Sequence, residues 1–188
     1  MFILASQSPR RKELMAKYIS RDFKIVVSHL NEEEGHHLNP LDCVKTLAYQ
    51  KGEIVHKKYP QDIVISADTI VIINDIMLNK PSDEEDAKKM LKILSNKTHK
   101  VITAYAIFKE NLLIENEDIS TVTFNDLSDK LIDEYVKTGS PLDKAGAYGL
   151  QDNKKFNIIK TTSGSVNNII GFPVEKILMD LKNNKLID

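Results

Sequence analysis

Phe2-Ile-Leu-Ala5, then Ser6-Gln-Ser-Pro9, then Arg10-Arg-Lys-Glu-Leu14: the opening of the chain reads as a buried strand, a polar turn and the start of a helix. The apolar run is too short for a helix and has the unbroken character of a strand covered on both faces. Either serine could be the N-cap, and Pro9 suits a first helical turn. Leu14, Met15 and Tyr18 recur at helical spacing, which predicts a helix over 11–19. A strand at 23–27 and a polar loop over 28–39 follow. Pro40 opens a helix to about residue 58, with Val44, Leu47, Ala48 and Ile54 as its buried stripe.

Downstream, Asp62-Ile-Val-Ile-Ser-Ala67 is another buried strand and closes on Asp68-Thr69. Residues 70–73 continue it or pair with it, and Asn74-Asp75 makes a turn. Ser82 and Glu85 have capping-box spacing for a helix to about residue 94. Two β-rich stretches, 99–108 and 112–124, are joined by a turn at Glu110-Asn111. Ser128 caps a helix that ends before Gly139. Residues 156–159 read as a strand, 164–171 as a loop with one helical turn, and 173–181 as a last helix. Early strand–helix alternation with a β-ribbon in the middle predicts an α/β protein with a mixed β-sheet flanked by helices. Without repeats or a Pro/Gly-rich linker, the expected organisation is one domain over 1–188, its two lobes lining a cleft.

The chain has 188 residues, 41% hydrophobic and 28% charged, with a net charge of -1. That length suits one large domain or two small ones and supports a real core. Disorder, which needs low hydrophobicity with high net charge, does not fit. No apolar run approaches a bilayer span, and the apolar N-terminus lacks the basic region of a secretory signal. Cys43 is the only cysteine, so neither an intramolecular disulfide nor a Cys-based zinc site is available, and a cytoplasmic location is expected. With 26 basic against 27 acidic residues, no broad nucleic-acid face is expected. Arginine occurs only at 10, 11 and 21, and its planar fork binds phosphate bidentately. The adjacent pair Arg10-Arg11 therefore marks a place to look for an anion.

In open α/β sheets ligands gather beyond the carboxyl ends of the strands. Ser6, Ser8, Arg10 and Arg11 occupy such a place, either as a phosphate cradle at a helix start or as a capped helix with solvated arginines. Asp68 closes an apolar strand, either as a plain turn residue or as a carboxylate that binds Mg²⁺ or activates water. Lys80 is held extended by Pro81 and either points into a cleft or is solvated. Glu32, Glu33 and Glu34 are metal ligands or ordinary surface acids. The five histidines lack metal-ligand spacing. There is no P-loop, G-x-G-x-x-G or G-x-S-x-G, and Ser8 has no histidine partner for a triad.

Taken together, several segments resemble the Maf family of nucleoside triphosphate pyrophosphatases. Leu4-Ala-Ser-Gln-Ser-Pro-Arg-Arg-Lys-Glu-Leu14 resembles its opening signature. Leu47-Ala48 to Lys51, Ser66-Ala-Asp-Thr69, Lys80-Pro81, His99-Lys-Val-Ile-Thr103, Thr121-Val-Thr-Phe124, Asp143-Lys-Ala-Gly-Ala-Tyr-Gly-Leu-Gln151 and Ile170-Gly-Phe-Pro173 follow in family order. The resemblance implies an inosine triphosphate pyrophosphatase-like fold and a nucleotide substrate cut between its α- and β-phosphates, with a divalent cation (Mg²⁺, Mn²⁺ or Co²⁺). It implies that Ser8, Arg10 and Arg11 hold the triphosphate and that Asp68 is the catalytic or metal-binding carboxylate. Lys51 and Lys80 would neutralise developing charge, and Glu32 would sit near the metal or the attacking water. Thr69 and Gln151 would recognise the base or position substrate.

Gln151 resembles the dTTP/UTP branch, because an amide both donates to and accepts from a pyrimidine's imide edge. A glutamate there is usual in the 7-methyl-GTP branch. The chain departs from family usage at Asn31, Ala104, Asn125, Ser140 (for glutamate) and Asp152 (for glycine). Asp152 brings negative charge near an anionic substrate. Family members are often homodimers. A non-catalytic nucleotide-binding regulator of division and septum formation would use the same pocket without needing Asp68. An RNA-binding module lacks its aromatic platform here.

Overall fold

A computed structural model describes residues 1–30 and 39–187. Among these the strands are β1 (Phe2–Leu4), β2 (Phe23–Ile25), β3 (Ile63–Ile73), β4 (Ile76–Leu78), β5 (Thr98–Lys109), β6 (Leu112–Phe124) and β7 (Ile159–Ser163). They form one mixed sheet in the order β2-β1-β3-β5-β6-β7, with β4 pairing to β3. β1 is parallel to both β2 and β3, whereas β3–β4 and β6–β7 are antiparallel. The helices are α1 (Pro9–Tyr18), α2 (Pro40–His56), α3 (Glu84–Leu94), α4 (Asp129–Val136), α5 (Asn153–Phe156), α6 (Val166–Ile170) and α7 (Val174–Asn183). No helix among the described residues is long and apolar enough to cross a membrane.

The chain divides into two compact units. The first comprises Met1–Thr69, Thr103–Asp118 and Asn167–Asp188, the second Ile70–Ile102 and Ile119–Val166. In the first unit, strand alternation decides what each helix covers. Leu4, Ile65, Ala67, Tyr105 and Ile107 pack with Leu14 and Met15 of α1 and with Val174, Ile177 and Leu181 of α7. The intervening residues Ile3, Ala5, Val64, Ala106 and Phe108 pack with Val55 of α2. Each fully buried aliphatic or aromatic side chain contributes roughly 1.5–3 kcal/mol. The stripe on α2 includes Val44, Leu47, Ala48, Gly52 and Val55. Val55 replaces the expected Ile54, which is half-buried.

In the second unit α3 packs on α4. His99, Phe124 and Tyr148 form a buried trio of edge-to-face rings. His99 Nε2 and the Tyr148 hydroxyl share a hydrogen bond of 2.7 Å, while Nδ1 has no partner among the described residues. Burial holds the His99 pKa down to about 4 from 6.5. The unfolded chain therefore binds the extra proton between those values, so stability rises with pH across that window and is lost on acidification through it. Urea unfolding should show wild type losing about 2 kcal/mol more than His99→Gln between pH 6.5 and 4.5. Equal losses would mean that the imidazole is not what titrates.

Of the two alternatives for residues 70–73 the structure takes the first: they continue β3 without a break, and the expected Asn74-Asp75 turn, both residues at positive φ, leads into β4. Two sequence expectations change. The cap of α3 is Asp83, whose side chain accepts the Asp86 N–H, while Asp86 in turn accepts the Ser82 N–H at 2.9 Å. The box is thus built one residue later than Ser82 and Glu85. The strand expected at 156–159 is instead the end of α5, a left-handed Asn157 and then β7. The Asn153 side chain fixes this break by accepting the Ile159 N–H at 2.6 Å.

Candidate active site

β3 carries the site because it outruns its parallel neighbour. β1 stops at Leu4, in register with Ile65, and Ala5 still donates to the Ile65 carbonyl at 2.8 Å. Beyond that point β3 continues through Ser66, Ala67, Asp68 and Thr69, and alternation sends their side chains to opposite faces. Ser66 and Asp68 turn toward α2. Ala67 and Thr69 turn toward α1 and the segment leading into α7.

On the α2 face, Ser66 Oγ donates to the Ala48 carbonyl at 2.6 Å, tying helix to strand. Lys51 Nζ reaches Asp68 Oδ1 at 2.6 Å, with the two side chains 11% and 13% exposed. Lys51 falls in helical register with Val44, Ala48 and Val55, which brings it to the sheet. A charge-assisted bond this short in a mostly dry setting is strong and directional. Burial and the Asp68 carboxylate push the nearby Cys43 thiol up, against the opposing Lys51 charge, so this cysteine is not an activated nucleophile.

On the other face, Arg11 organises a network. Its Nε donates to the Gly171 carbonyl at 2.8 Å, Nη1 to Ser6 Oγ at 3.2 Å and Nη2 to Thr69 Oγ1 at 3.0 Å. Thr69 Oγ1 also lies 3.0 Å from Thr103 Oγ1, which donates to the Asn168 carbonyl at 3.1 Å. Gly171 has φ 110°, a conformation that only glycine adopts readily. A Cβ there would stand 3.1 Å from Thr69 Oγ1. Ser8 is the N-cap of α1, accepting the Arg11 N–H, and Arg10 is half-buried on the same first turn.

The structure thus pairs Lys51 with Asp68 and Arg11 with Thr69. It places Ser8 and Arg10 at the start of α1. Lys80 and Gln151 are exposed side chains of the second unit, after β4 and on a 3-10 turn at Leu150–Asp152. Glu32, Glu33 and Glu34 lie outside the described residues. Thr103 and the Gly171 carbonyl are parts of the site with no local sequence signal: nothing near them marks a carbonyl as the partner of a guanidinium 160 positions away. Ser140 and Asp152 meet directly: Ser140 Oγ donates to Asp152 Oδ2 at 2.8 Å.

A strand-borne carboxylate–lysine pair and an arginine-bearing helix start, beyond the end of a parallel strand, define an α/β protein of the ligand-at-the-strand-ends class. The fold is shared with the Staphylococcus aureus Ham1 protein, at TM-score 0.52 and 14% identity over 97% of this chain and 98% of that one. The chain belongs to the Maf-like protein family, whose family model matches residues 1–184. A "dTTP/UTP pyrophosphatase" of Bacillus cereus (strain G9842) is 42% identical over 96% of this chain and 93% of its own length. One of Thermococcus gammatolerans is 43% identical over 94% and 93%. One of Bacillus cytotoxicus is 40% identical over 96% and 94%.

Proposed function

We propose that the chain is a nucleoside triphosphate pyrophosphatase that hydrolyses dTTP and UTP to the monophosphate and pyrophosphate. The names of its relatives support the reaction class and the pyrimidine preference. The observation that carries the reading is the 2.6 Å Lys51–Asp68 pair on β3, just beyond the end of β1. Phosphoryl-type transfer needs positioned charge more than covalent chemistry. Asp68 takes a proton from the attacking water, whose oxygen bonds to the α-phosphorus while the α–β bridging oxygen departs with pyrophosphate. Lys51 fixes the carboxylate and offsets charge growing on the phosphates, and Lys80 is assigned the same electrostatic task. Arg10, with the backbone N–H groups and Ser8 at the start of α1, binds the triphosphate. Arg11 belongs to the same cradle and also holds Thr69 in place.

A divalent cation fits this donor set. Among the described residues no group of three or more His, Cys, Asp and Glu side chains is placed to hold an ion by itself. One carboxylate together with substrate phosphates is, however, the usual way Mg²⁺ is held, and Mn²⁺ or Co²⁺ accept the same oxygen donors. Asp68, with Glu32 as a second oxygen donor, is the assigned holder. When bound, the ion withdraws charge from the phosphate oxygens.

Pyrophosphate release from a panel of nucleoside triphosphates, with Mg²⁺ or Mn²⁺ and with chelator, tests the proposal. Metal-dependent release led by dTTP and UTP is expected. A different leading nucleotide would overturn the base preference. Silence from folded protein that still binds nucleotide would overturn the enzyme reading.

A further inference from the structure

The turn carrying Gln151 is gripped from both sides by one buried tyrosine. Tyr135 of α4 is 1% exposed. Its hydroxyl donates to Asp152 Oδ2 at 2.7 Å and accepts the Gly149 N–H at 3.0 Å. Burial, then the Asp152 carboxylate, hold that hydroxyl well above the usual tyrosine range, so it stays a donor. Ser140 Oγ donates to the same Asp152 oxygen at 2.8 Å. Ser140 is itself anchored by the buried Lys144, which donates to its carbonyl and, at 3.1 Å, to its Oγ. Phe156 backs the Tyr135 ring, with centroids 4.8 Å apart.

A three-residue 3-10 turn has little stability of its own, so this clamp sets where the backbone at 151 sits. Between the two gripped points, 149 and 152, Gln151 alone presents an exposed polar side chain. A glutamine amide is ambidextrous: flipped, it matches the donor and acceptor of cytosine as well as those of an imide edge. The residue type alone therefore does not separate UTP from CTP, and selection requires holding the amide at one register against the base.

We propose that Asp152 is a positioning residue for base selection, receiving Tyr135 and Ser140 so that Gln151 meets the base at a fixed place. The inference rests on Gln151 being the base reader. The carboxylate charge is not what matters here; its ability to accept two hydroxyl bonds at one oxygen is.

The test measures kcat and KM for UTP and CTP, with melting temperature, in wild type, Asp152→Ala, Asp152→Asn, Tyr135→Phe and Gln151→Ala. Asp152→Ala should lower the UTP:CTP ratio of kcat/KM about tenfold, mainly by raising KM for UTP. Asp152→Asn, whose amide oxygen still accepts both hydroxyls, should keep the ratio. Tyr135→Phe, which unlinks Gly149 from Asp152, should repeat the loss and serves if the alanine variant fails to fold. A lowered melting temperature with the ratio intact in Asp152→Ala and Tyr135→Phe would reduce Asp152 to a structural residue and overturn the proposal. So would an asparagine variant as unselective as the alanine one. Gln151→Ala separates the two levels. If it abolishes selectivity while Asp152→Ala does not, the base reader stands and the positioning role falls. If Gln151→Ala remains selective, the base-reader premise falls, and the proposal with it.

Discussion

Asp68→Asn is expected to leave the chain folded and to lower kcat by about 10²-fold or more at saturating dTTP, the usual consequence of deleting a catalytic acid–base. Asparagine has the shape of aspartate and its carbonyl oxygen still accepts the Lys51 ammonium, so the 2.6 Å contact keeps a hydrogen-bond partner. What disappears is the negative charge. A neutral amide does not take a proton from water, nor does it hold a cation against a triphosphate with comparable strength. The loss should fall on kcat more than on KM, because the groups assigned to the triphosphate on α1 are untouched. Circular dichroism and thermal melting establish that the fold survives; steady-state pyrophosphate release then reads the chemistry. Turnover at the wild-type level would remove Asp68 from the reaction and pass the acid–base task to another carboxylate.

How much of this site is legible in the sequence varies with the range of the interaction. The apolar run ending at Ser66-Ala-Asp-Thr69 is visible as a strand with an acid at its end, because burial and period-two alternation are local. Whether β3 runs on through Asp68 or breaks there and pairs with a second strand is not decided by the sequence, since a polar pair inside an apolar run looks like a terminus. Lys51 stands at a helical repeat of the buried stripe, a local signal that an unpaired reading of lysines as surface residues passes over. The destination of Arg11 has no sequence signature: its acceptors come from Ser6, Thr69 and the Gly171 carbonyl, brought together only by the sheet and α7. The polar strand β7 escapes for another reason. Four of its five residues are exposed at the end of the sheet order, so no alternation is imposed on them. The Tyr135–Asp152 bond spans two elements, and nothing in either segment marks the other residue as its partner.

Gly52→Ala sets two physical effects against each other with opposite signs. Intrinsic helix propensity favours alanine over glycine by about 1 kcal/mol, and on that ground alone the substitution stabilises α2. Packing opposes it. A Cβ at residue 52 would lie 2.3 Å from Phe108 Cε2 and 2.5 Å from Ser66 Oγ. Neither neighbour has room to yield. The Phe108 ring is buried, stacked on His56 and flanked by Tyr49, with centroids at 5.3 and 5.6 Å. Ser66 Oγ is held by its 2.6 Å bond to the Ala48 carbonyl. α2 must therefore back away from β3 and β5, which costs about 1–3 kcal/mol for overpacking and about 1 kcal/mol for the weakened Ser66 bond. The net expectation is a destabilisation of about 2 kcal/mol, which for a chain of this length lowers the melting temperature by about 4–8 °C. Lys51 immediately precedes the glycine and moves with the helix. A displacement on the order of 1 Å from Asp68 is enough to reduce kcat by up to about 10²-fold. Thermal melting and steady-state kinetics on one preparation read both consequences. A variant that melts at or above the wild-type temperature with full turnover would mean that the Phe108 ring gives way and that the close approach of α2 does not set the Lys51–Asp68 geometry.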